Sequence, residues 1–203
     1  MPGKEIVHEG VTRQAKEKLL QQRGIVIWLT GLSGSGKSTL AVNLENQLHR
    51  SGYFTALLDG DLLRNGLNTG LGFTPGERTE NIRRAAEVAR IMVDNGIITI
   101  CSFISPTHEI RQMARHIIGP QHYFEVFLDC SFETCSNRDV KGLYKKALSG
   151  ELKNFTGLDA PFEKPEQPWL ILDTENTQPA ASIQLLLQAV LPIIDQSLQA
   201  KAN

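Results

Sequence analysis

The stretch GIVIWLTGLSGSGKST, residues 24–39, decides the fold of this 203-residue chain. Residues 24–30 are apolar, rich in β-branched side chains and bounded by glycine, which predicts a buried strand. Residues 31–38 have the form GxxxxGKS, in which successive backbone N–H groups turn inward around a phosphate group. From Lys37 onward, Leu40, Leu44 and Leu48 recur on one face, so a helix is predicted to follow. A strand, a glycine-rich loop and a helix in this order are the context that a phosphate-binding loop requires.

The loop has a predicted role in binding the phosphates of ATP or GTP, and the positive end of the following helix would add to the attraction. The Lys37 ammonium group would bridge β- and γ-phosphate oxygens, and the Ser38 hydroxyl would be a ligand of Mg²⁺. An NKxD element, which a switch GTPase would need, does not occur in the sequence. The predicted nucleotide-binding residues are Gly31, Leu32, Ser33, Gly34, Ser35, Gly36, Lys37, Ser38 and Thr39.

Apolar runs and helical patterns alternate along the rest of the chain. Further strands are predicted at residues 55–59, 96–103, 123–128 and 169–172, and further helices at residues 80–95 and 179–198. This alternation predicts a three-layer α/β fold, with a mainly parallel five-stranded sheet covered by helices on both faces. The length favours a single domain over residues 1–203, with residues 1–24 as an N-terminal segment.

Composition narrows the possible partners and the compartment. Hydrophobic residues make up 41%, charged residues 21%, and the formal net charge is -1, so no basic excess indicates binding of nucleic acid or an anionic membrane. The three cysteines, Cys101, Cys130 and Cys135, show no CxxC spacing, which favours buried thiols over a disulfide framework or a zinc site. No stretch has the pattern of a signal peptide or a membrane span. We therefore expect a protein of the reducing cytoplasm.

Two acids follow the second predicted strand, in the turn Asp59-Gly60-Asp61. Ligands of open α/β sheets gather at the carboxyl ends of strands, so both carboxylates would face the γ-phosphate. One could polarise an acceptor hydroxyl and the other could help to hold Mg²⁺ through water. The alternative is a turn with two solvated acids.

A group of arginines with an aromatic residue and an amide comes next. Guanidinium groups bind phosphate and sulfate bidentately, and an aromatic face can stack on a purine. The group therefore favours an anionic acceptor that contains a ring. Its members are Arg64, Phe73, Arg78, Asn81, Arg83 and Arg84.

Residues 139–168 interrupt the alternation of strands and helices. The segment is charged and contains three glycines and three prolines, and we expect it to contribute little to a core. A long polar segment of this kind in a compact domain predicts a lid, with a merely solvated loop as the alternative.

Taken together, these motifs resemble those of the adenylylsulfate kinases, a family of P-loop kinases. The resemblance extends from about residue 11 to residue 173, and SFISP, DVKGLYKKA and FTGxDxPxE are its most characteristic parts. The motifs are GLSGSGKST (31–39), LDGD (58–61), LGFT (71–74), RxxNIRR (78–84), SFISP (102–106), RDVKGLYKKA (138–147) and KNFTGLDAPFE (153–163).

The resemblance implies an ATP-dependent, Mg²⁺-requiring P-loop kinase, usually a homodimer, that phosphorylates adenosine 5′-phosphosulfate in sulfate assimilation. Lys37, Asp61 and Ser105 would be catalytic, and residues 139–163 would close over both nucleotides. The substrate-binding residues it implies are Asp59, Asp61, Arg64, Phe73, Arg78, Asn81, Ile104, Ser105, Lys141 and Phe155.

Three questions stay open at the level of sequence. The resemblance labels Ser105 as a phosphoserine intermediate, whereas direct in-line transfer needs no covalent step and no base for Ser105 is evident. Another small-molecule kinase, acting on a nucleoside or a sugar acid, would also have the loop and the DGD turn. A regulatory relative that binds nucleotide without catalysis is the third alternative, although Lys37 and Asp61 are both present.

Overall fold

A five-stranded parallel sheet forms the centre of the molecule. The computed structural model describes residues 10–195, and its strands lie in the order β2-β3-β1-β4-β5, each pair of neighbours being parallel. All five predicted strands are confirmed within a few residues at their ends. They are β1 (Val26–Thr30), β2 (Thr55–Asp59), β3 (Ile98–Ser102), β4 (Tyr123–Asp129) and β5 (Leu170–Asp173).

Eight helices surround the sheet in the part of the chain that the structure describes. They are α1 (Arg13–Leu20), α2 (Lys37–Arg50), α3 (Gly60–Arg64), α4 (Pro75–Asp94), α5 (His108–Ile118), α6 (Phe132–Arg138), α7 (Leu143–Leu148) and α8 (Pro179–Ile194). The predicted helices α2, α4 and α8 are confirmed. Helix α4 begins earlier than predicted because Thr74 and Glu77 form a capping box. The predicted end of α8 at residue 198 lies outside the described residues.

Hydrophobic clusters on both faces of the sheet confirm the three-layer fold. On one face, α2 and α8 bury Leu44 and Leu186 against Ile27 of β1. On the other face, α4 and α5 cover Trp28, whose ring stacks on Phe103 at 5.0 Å between centroids. Alternate residues of β1 point to opposite faces, so one strand contributes to both layers of the core.

A third, smaller cluster lies inside the segment predicted to be a lid. Tyr144 of α7 is 1% exposed and Phe155 is 6% exposed, and their rings meet edge to face at 4.8 Å. These side chains pack on Leu32 of the glycine-rich loop and on Cys135 of α6. The expectation that residues 139–168 contribute little to a core is therefore wrong for this part of the segment, which has a helix and a core of its own.

The N-terminal segment contains a helix that the sequence analysis did not predict. Glu17 of α1 accepts a hydrogen bond from the backbone N–H of Gly24 at 2.9 Å, and Arg13 donates to the Gly24 carbonyl. The helix is thus fastened directly before β1. Among residues 10–195, no helix is both long and apolar enough to cross a membrane.

Candidate active site

The glycine-rich loop has the predicted position between β1 and α2. Gly34 has φ +78°, and a Cβ atom there would lie 2.9 Å from the Cys135 carbonyl oxygen. Gly36 caps α2 with φ +97°. Both positions therefore need glycine, the first also because α6 packs closely against the loop. The loop leaves the sheet at its carboxyl edge, where ligands of parallel sheets bind.

Lys37 lies buried beneath the loop. Lys37 is only 9% exposed. Its Nζ atom donates hydrogen bonds to the carbonyl oxygens of Gly31 at 2.9 Å and Leu32 at 2.6 Å. Burial lowers the pKa of Lys37 from 10.5 to about 8. An ammonium group held among neutral carbonyls and depleted of water is well suited to exchange those contacts for the oxygens of an anion.

The two acids of the DGD turn lie beside this loop. Asp59 accepts hydrogen bonds from the Ser38 hydroxyl at 2.8 Å and from the backbone N–H of Asp61 at 3.0 Å. Asp61 forms an ion pair with Lys141 from the lid segment. Each carboxylate thus contacts another predicted site residue, and the Asp61 side chain is 65% exposed to solvent.

These oxygen groups fit Mg²⁺, which prefers hydroxyl and carboxylate ligands together with water. Within residues 10–195 no cluster of three or more His, Cys, Asp or Glu side chains could hold a metal ion. The Ser38 hydroxyl and the Asp59 carboxylate, 2.8 Å apart, are the two oxygen groups here that could contact such an ion.

An aromatic ring flanked by cations lies beyond the acids. The guanidinium carbon of Arg64 is 4.3 Å from the centroid of the Phe73 ring, and that of Arg78 is 5.5 Å away. Arg64 donates to the carbonyl oxygens of Leu71 and Gly72, each at 2.9 Å. Phe73 is 48% exposed. The structure thus brings these three predicted residues together, as a half-exposed aromatic ring with two cations against it that are suited to anions.

Arg83 and Arg84 are engaged elsewhere. Their Nε atoms each lie 2.7 Å from a carboxylate oxygen of Glu80 on the same helix. The two charged hydrogen bonds lower the pKa of Glu80 to about 2. Arg84 also donates to the carbonyl oxygen of Leu67. Both guanidinium groups are thus paired with a carboxylate of their own helix in this structure.

Ser105 lies in a strained turn after β3. It is 2% exposed and has φ +39°, which is rare for a residue other than glycine. Its hydroxyl accepts a hydrogen bond from Trp28 Nε1 at 3.1 Å and donates one to Thr30 Oγ1 at 2.9 Å. With one hydrogen bond accepted and one donated, this hydroxyl connects the turn to β1. Among residues 10–195 no carboxylate or imidazole hydrogen-bonds to it.

Two further contacts hold the same turn. Thr30 Oγ1 donates to the carbonyl oxygen of Ile104 at 2.8 Å. Arg111 of α5 donates to the carbonyl oxygen of Ser105 at 2.8 Å and pairs with Glu125 at 2.9 Å. Sequence analysis missed Thr30 and Arg111, because their relation to Ser105 arises only when β1, α5 and β4 meet.

The lid residues differ in how they reach the site. Lys141 forms its ion pair with Asp61 while its side chain is 54% exposed. Phe155 is buried in the third cluster and presents no open ring face to a ligand. The segment is joined to the acceptor side by Arg78, which donates to the Asn154 carbonyl at 2.6 Å, and by Glu163, whose N–H donates to the Pro106 carbonyl at 2.8 Å.

A pocket of about 320 Å³ on the other side of the glycine-rich loop was not predicted from the sequence. Arg138 donates to the carbonyl oxygen of Thr174 at 2.7 Å, and the Thr174 hydroxyl donates to the carbonyl oxygen of Ser35 at 2.9 Å. The pocket could hold the base of a nucleotide whose phosphates lie in the loop. Its lining includes Gly36, Thr39, Asn43, Arg138, Thr174 and Pro179.

The parallel sheet, the phosphate-binding loop with its buried lysine and the acids after β2 define a P-loop phosphotransferase. Comparison with known proteins narrows this class. The family model for adenylylsulphate kinase matches residues 23–173, and the chain belongs to that family.

Individual relatives agree with this assignment. An adenylyl-sulfate kinase of Bacteroides fragilis is 54% identical over 186 residues, which is 92% of each chain. An adenylyl-sulfate kinase of Clostridium acetobutylicum is 57% identical over 164 residues, covering 81% of this chain and 82% of that protein. The structure of a Mycobacterium tuberculosis APS kinase in complex with AMPPNP and APS superposes with a TM-score of 0.80 at 41% identity, covering 83% of this chain and 98% of that one.

Proposed function

We propose that this chain is an ATP-dependent adenylylsulfate kinase. It transfers the γ-phosphoryl group of ATP to the 3′-hydroxyl of adenosine 5′-phosphosulfate, giving 3′-phosphoadenosine 5′-phosphosulfate for sulfate assimilation. The observation that carries the proposal is the group of residues after Asp61 in which the guanidinium groups of Arg64 and Arg78 lie against the half-exposed ring of Phe73. An aromatic ring beside two guanidinium groups suits an acceptor that combines a purine with a phosphosulfate.

The phosphate-binding loop, residues 31–39, holds the triphosphate in this proposal. Its backbone N–H groups and the start of α2 bind the phosphate oxygens, and the Lys37 ammonium group neutralises charge that develops on the γ-phosphoryl group. Ser38 and Asp59 hold Mg²⁺, which when bound screens the negative charge of the phosphates. The pocket lined by Arg138 and Thr174 takes the adenine base.

The acceptor lies on the opposite side of Asp61. Its ring stacks on Phe73, its anionic groups contact Arg64 and Arg78, and Asn81 donates to a further acceptor atom. Ile104 forms part of the wall, and Lys141 and Phe155 belong to the lid that closes over the site and excludes water. Asp61 orients or deprotonates the 3′-hydroxyl for in-line attack.

Direct transfer accounts for the surroundings of Ser105 better than a phosphoserine intermediate does. Its hydroxyl is buried and bonded to Trp28 and Thr30, and a nucleophile would need to leave both partners and find a base. In this proposal Ser105 positions the turn that carries Ile104. If the proposal is correct, Asp61→Asn loses at least ~10²-fold in kcat, while Ser105→Ala keeps clear activity. Stoichiometric, chemically competent phosphate on Ser105 after incubation with labelled ATP alone would contradict it.

A coupled assay for ADP formation tests the reaction itself. We expect turnover with ATP, Mg²⁺ and adenosine 5′-phosphosulfate, and none when nucleosides or gluconate replace the acceptor. Turnover with a sugar acid would favour another small-molecule kinase. Nucleotide binding without turnover on any acceptor would favour a regulatory protein.

The assembly and the compartment complete the proposal. We expect a homodimer, as implied by the family resemblance, and light scattering after gel filtration measures its mass directly. Cytoplasmic location is supported by Cys101, Cys130 and Cys135, which are all free and buried thiols.

A further inference from the structure

Asn68 is a buried amide outside the residues assigned to either substrate. It lies in the loop between α3 and α4 and is 0% exposed. Its backbone N–H donates to the Leu63 carbonyl at 2.8 Å, and its carbonyl accepts from Leu71 at 3.1 Å. The loop that holds Asn68 is the one to which Arg64 is anchored. A polar side chain that is fully buried normally has a hydrogen-bond partner.

That partner is Asn81, one of the predicted acceptor-binding residues. The Asn68 amide nitrogen donates to the Asn81 side-chain oxygen at 3.0 Å and, more weakly, to the Asn81 backbone oxygen at 3.5 Å. A backbone carbonyl can only accept, so the end of Asn68 that faces both oxygens is its NH₂ group. The Asn81 carboxamide must then turn its oxygen toward Asn68.

The consequence concerns the other end of Asn81. Its NH₂ group points away from Asn68 and has no hydrogen-bond partner among the described residues. A carboxamide can rotate by half a turn with little change in shape, so only its neighbours decide which end faces a ligand. Asn68 is the neighbour that makes this choice.

We propose that Asn68 is a positioning residue that holds the Asn81 carboxamide with its N–H donors toward the acceptor substrate. The proposal rests on the proposed function. Most polar atoms at the edge of an adenine ring and on a phosphosulfate group are hydrogen-bond acceptors. The Asn81 NH₂ group would therefore attract this substrate, whereas the Asn81 side-chain oxygen would repel it. Within residues 10–195 the buried Asn68 side-chain oxygen has no hydrogen-bond partner, a feature that stability alone would not favour.

Two substitutions of similar size test the proposal. Asn68→Leu removes the donor, and we expect the KM for adenosine 5′-phosphosulfate to rise about tenfold, the effect of one hydrogen bond. Asn68→Asp offers only acceptors to Asn81 and would turn its NH₂ group away from the ligand, so a larger rise is expected. The KM for ATP and kcat at saturating acceptor should change less than about twofold in both variants, since neither touches the phosphate-binding loop.

A double-mutant cycle separates positioning from a general effect on the loop. In an Asn81→Ala background, either substitution at Asn68 should raise the KM for the acceptor no further, because no carboxamide remains to be oriented. Thr69→Ala is the matched control: its hydroxyl donates to the Gly66 carbonyl in the same loop at 2.7 Å and, more weakly, to the Arg64 backbone carbonyl at 3.5 Å, and it has no hydrogen bond to Asn81 among residues 10–195. We expect it to leave both KM values unchanged.

Several outcomes would overturn the proposal. These are equal changes in KM for both substrates, additive effects in the Asn81→Ala background, or an unchanged acceptor KM in a variant that melts like the wild type. Should Asn68→Leu fail to fold, the nearly isosteric Asn68→Asp and its double mutant decide the matter alone. Absence of turnover in the wild type would instead contradict the proposed function.

Discussion

At the scale of single residues, Lys37 connects stability with activity. Its pKa falls from 10.5 in the unfolded chain to about 8 in the folded protein, chiefly because burial removes water from the ammonium group. Between these two pH values the unfolded chain binds a proton that the folded protein has released. Lys37 therefore lowers the free energy of unfolding at neutral pH. This unfavourable contribution shrinks as the pH rises from about 8 to 10.5.

Replacing Lys37 by an apolar side chain of similar length should show that this residue lowers stability while it is needed for activity. We expect Lys37→Met to abolish phosphoryl transfer and yet to unfold, in urea at pH 7, with a free energy no lower than that of the wild type. The difference between the two proteins should move in favour of the wild type when the measurement is repeated near pH 10. A variant that is much less stable than the wild type at both pH values would show that the hydrogen bonds to Gly31 and Leu32 outweigh the burial of charge.

Titration of the Lys37 ammonium group should also change the activity with pH. The free enzyme loses the Lys37 proton at a pKa of about 8, so kcat/KM for ATP should decline above that pH. Bound phosphates favour the charged form, and the decline in kcat should therefore lie at a higher pH. Lys37→Arg keeps its charge, and any residual activity of that variant should lack the alkaline decline. Superimposable profiles for the two proteins would assign the decline to another group.

At the scale of elements, the lid is a small folded unit with polar connections to the active site. Its own core surrounds Tyr144 and Phe155, whereas Lys141 and Asn154 reach Asp61 and Arg78 through polar contacts. The partners on the enzyme side are residues that the substrates are proposed to contact. Substrate binding should therefore exchange these contacts for new ones and change the mobility of the lid.

Limited proteolysis or hydrogen exchange can follow this change. We expect residues 139–163 to become better protected when ADP and adenosine 5′-phosphosulfate are added together, because in the proposed function both ligands would lie beneath the closed lid. ADP alone should protect the phosphate-binding loop and leave most of the lid unchanged. A lid that responds equally to ADP alone, or not at all, would contradict closure over both nucleotides.

At the scale of the whole molecule, the two layers of helices should affect stability without entering the chemistry. Leu186 of α8 is fully buried in the layer shared with α2, whereas Leu185 beside it is 51% exposed. We expect Leu186→Ala to lower the free energy of unfolding by about 2–5 kcal/mol, while Leu185→Ala changes it by less than about 0.5 kcal/mol. Thermal unfolding measures both. At 25 °C the folded fraction of each variant should keep the kcat of the wild type.

Three expectations stay predictions: a single domain over residues 1–203, a homodimer, and a cytoplasmic location of the protein. A single cooperative unfolding transition, seen alike by fluorescence and circular dichroism, would support one domain. Two separate transitions would favour two units.

Local sequence was sufficient to predict the elements around the phosphate-binding loop. Apolar runs and helical spacing are properties of neighbouring residues, so β1, α2 and the other four strands were predicted from them. The roles of Gly34, Gly36 and Lys37 were also predictable, because the GxxxxGKS motif alone defines where the loop needs glycine and where it needs a cation. Helix α5 was missed and α4 was predicted too short, although the caps at Thr107 and Thr74 are themselves local signals; the apolar spacing used for α4 began only at Ile82, after its polar first turns.

Tertiary structure alone decided how the distant parts of the site meet. Asn68 and Asn81 come together because the loop folds back on α4, and Ser105 is bonded to Trp28 and Thr30 because β3 lies beside β1. Pairing with Glu80 engages Arg83 and Arg84, and the packing of the lid buries Phe155. Sequence determines which groups are present, whereas the choice of partner for each group depends on strand order and packing between residues far apart in the chain.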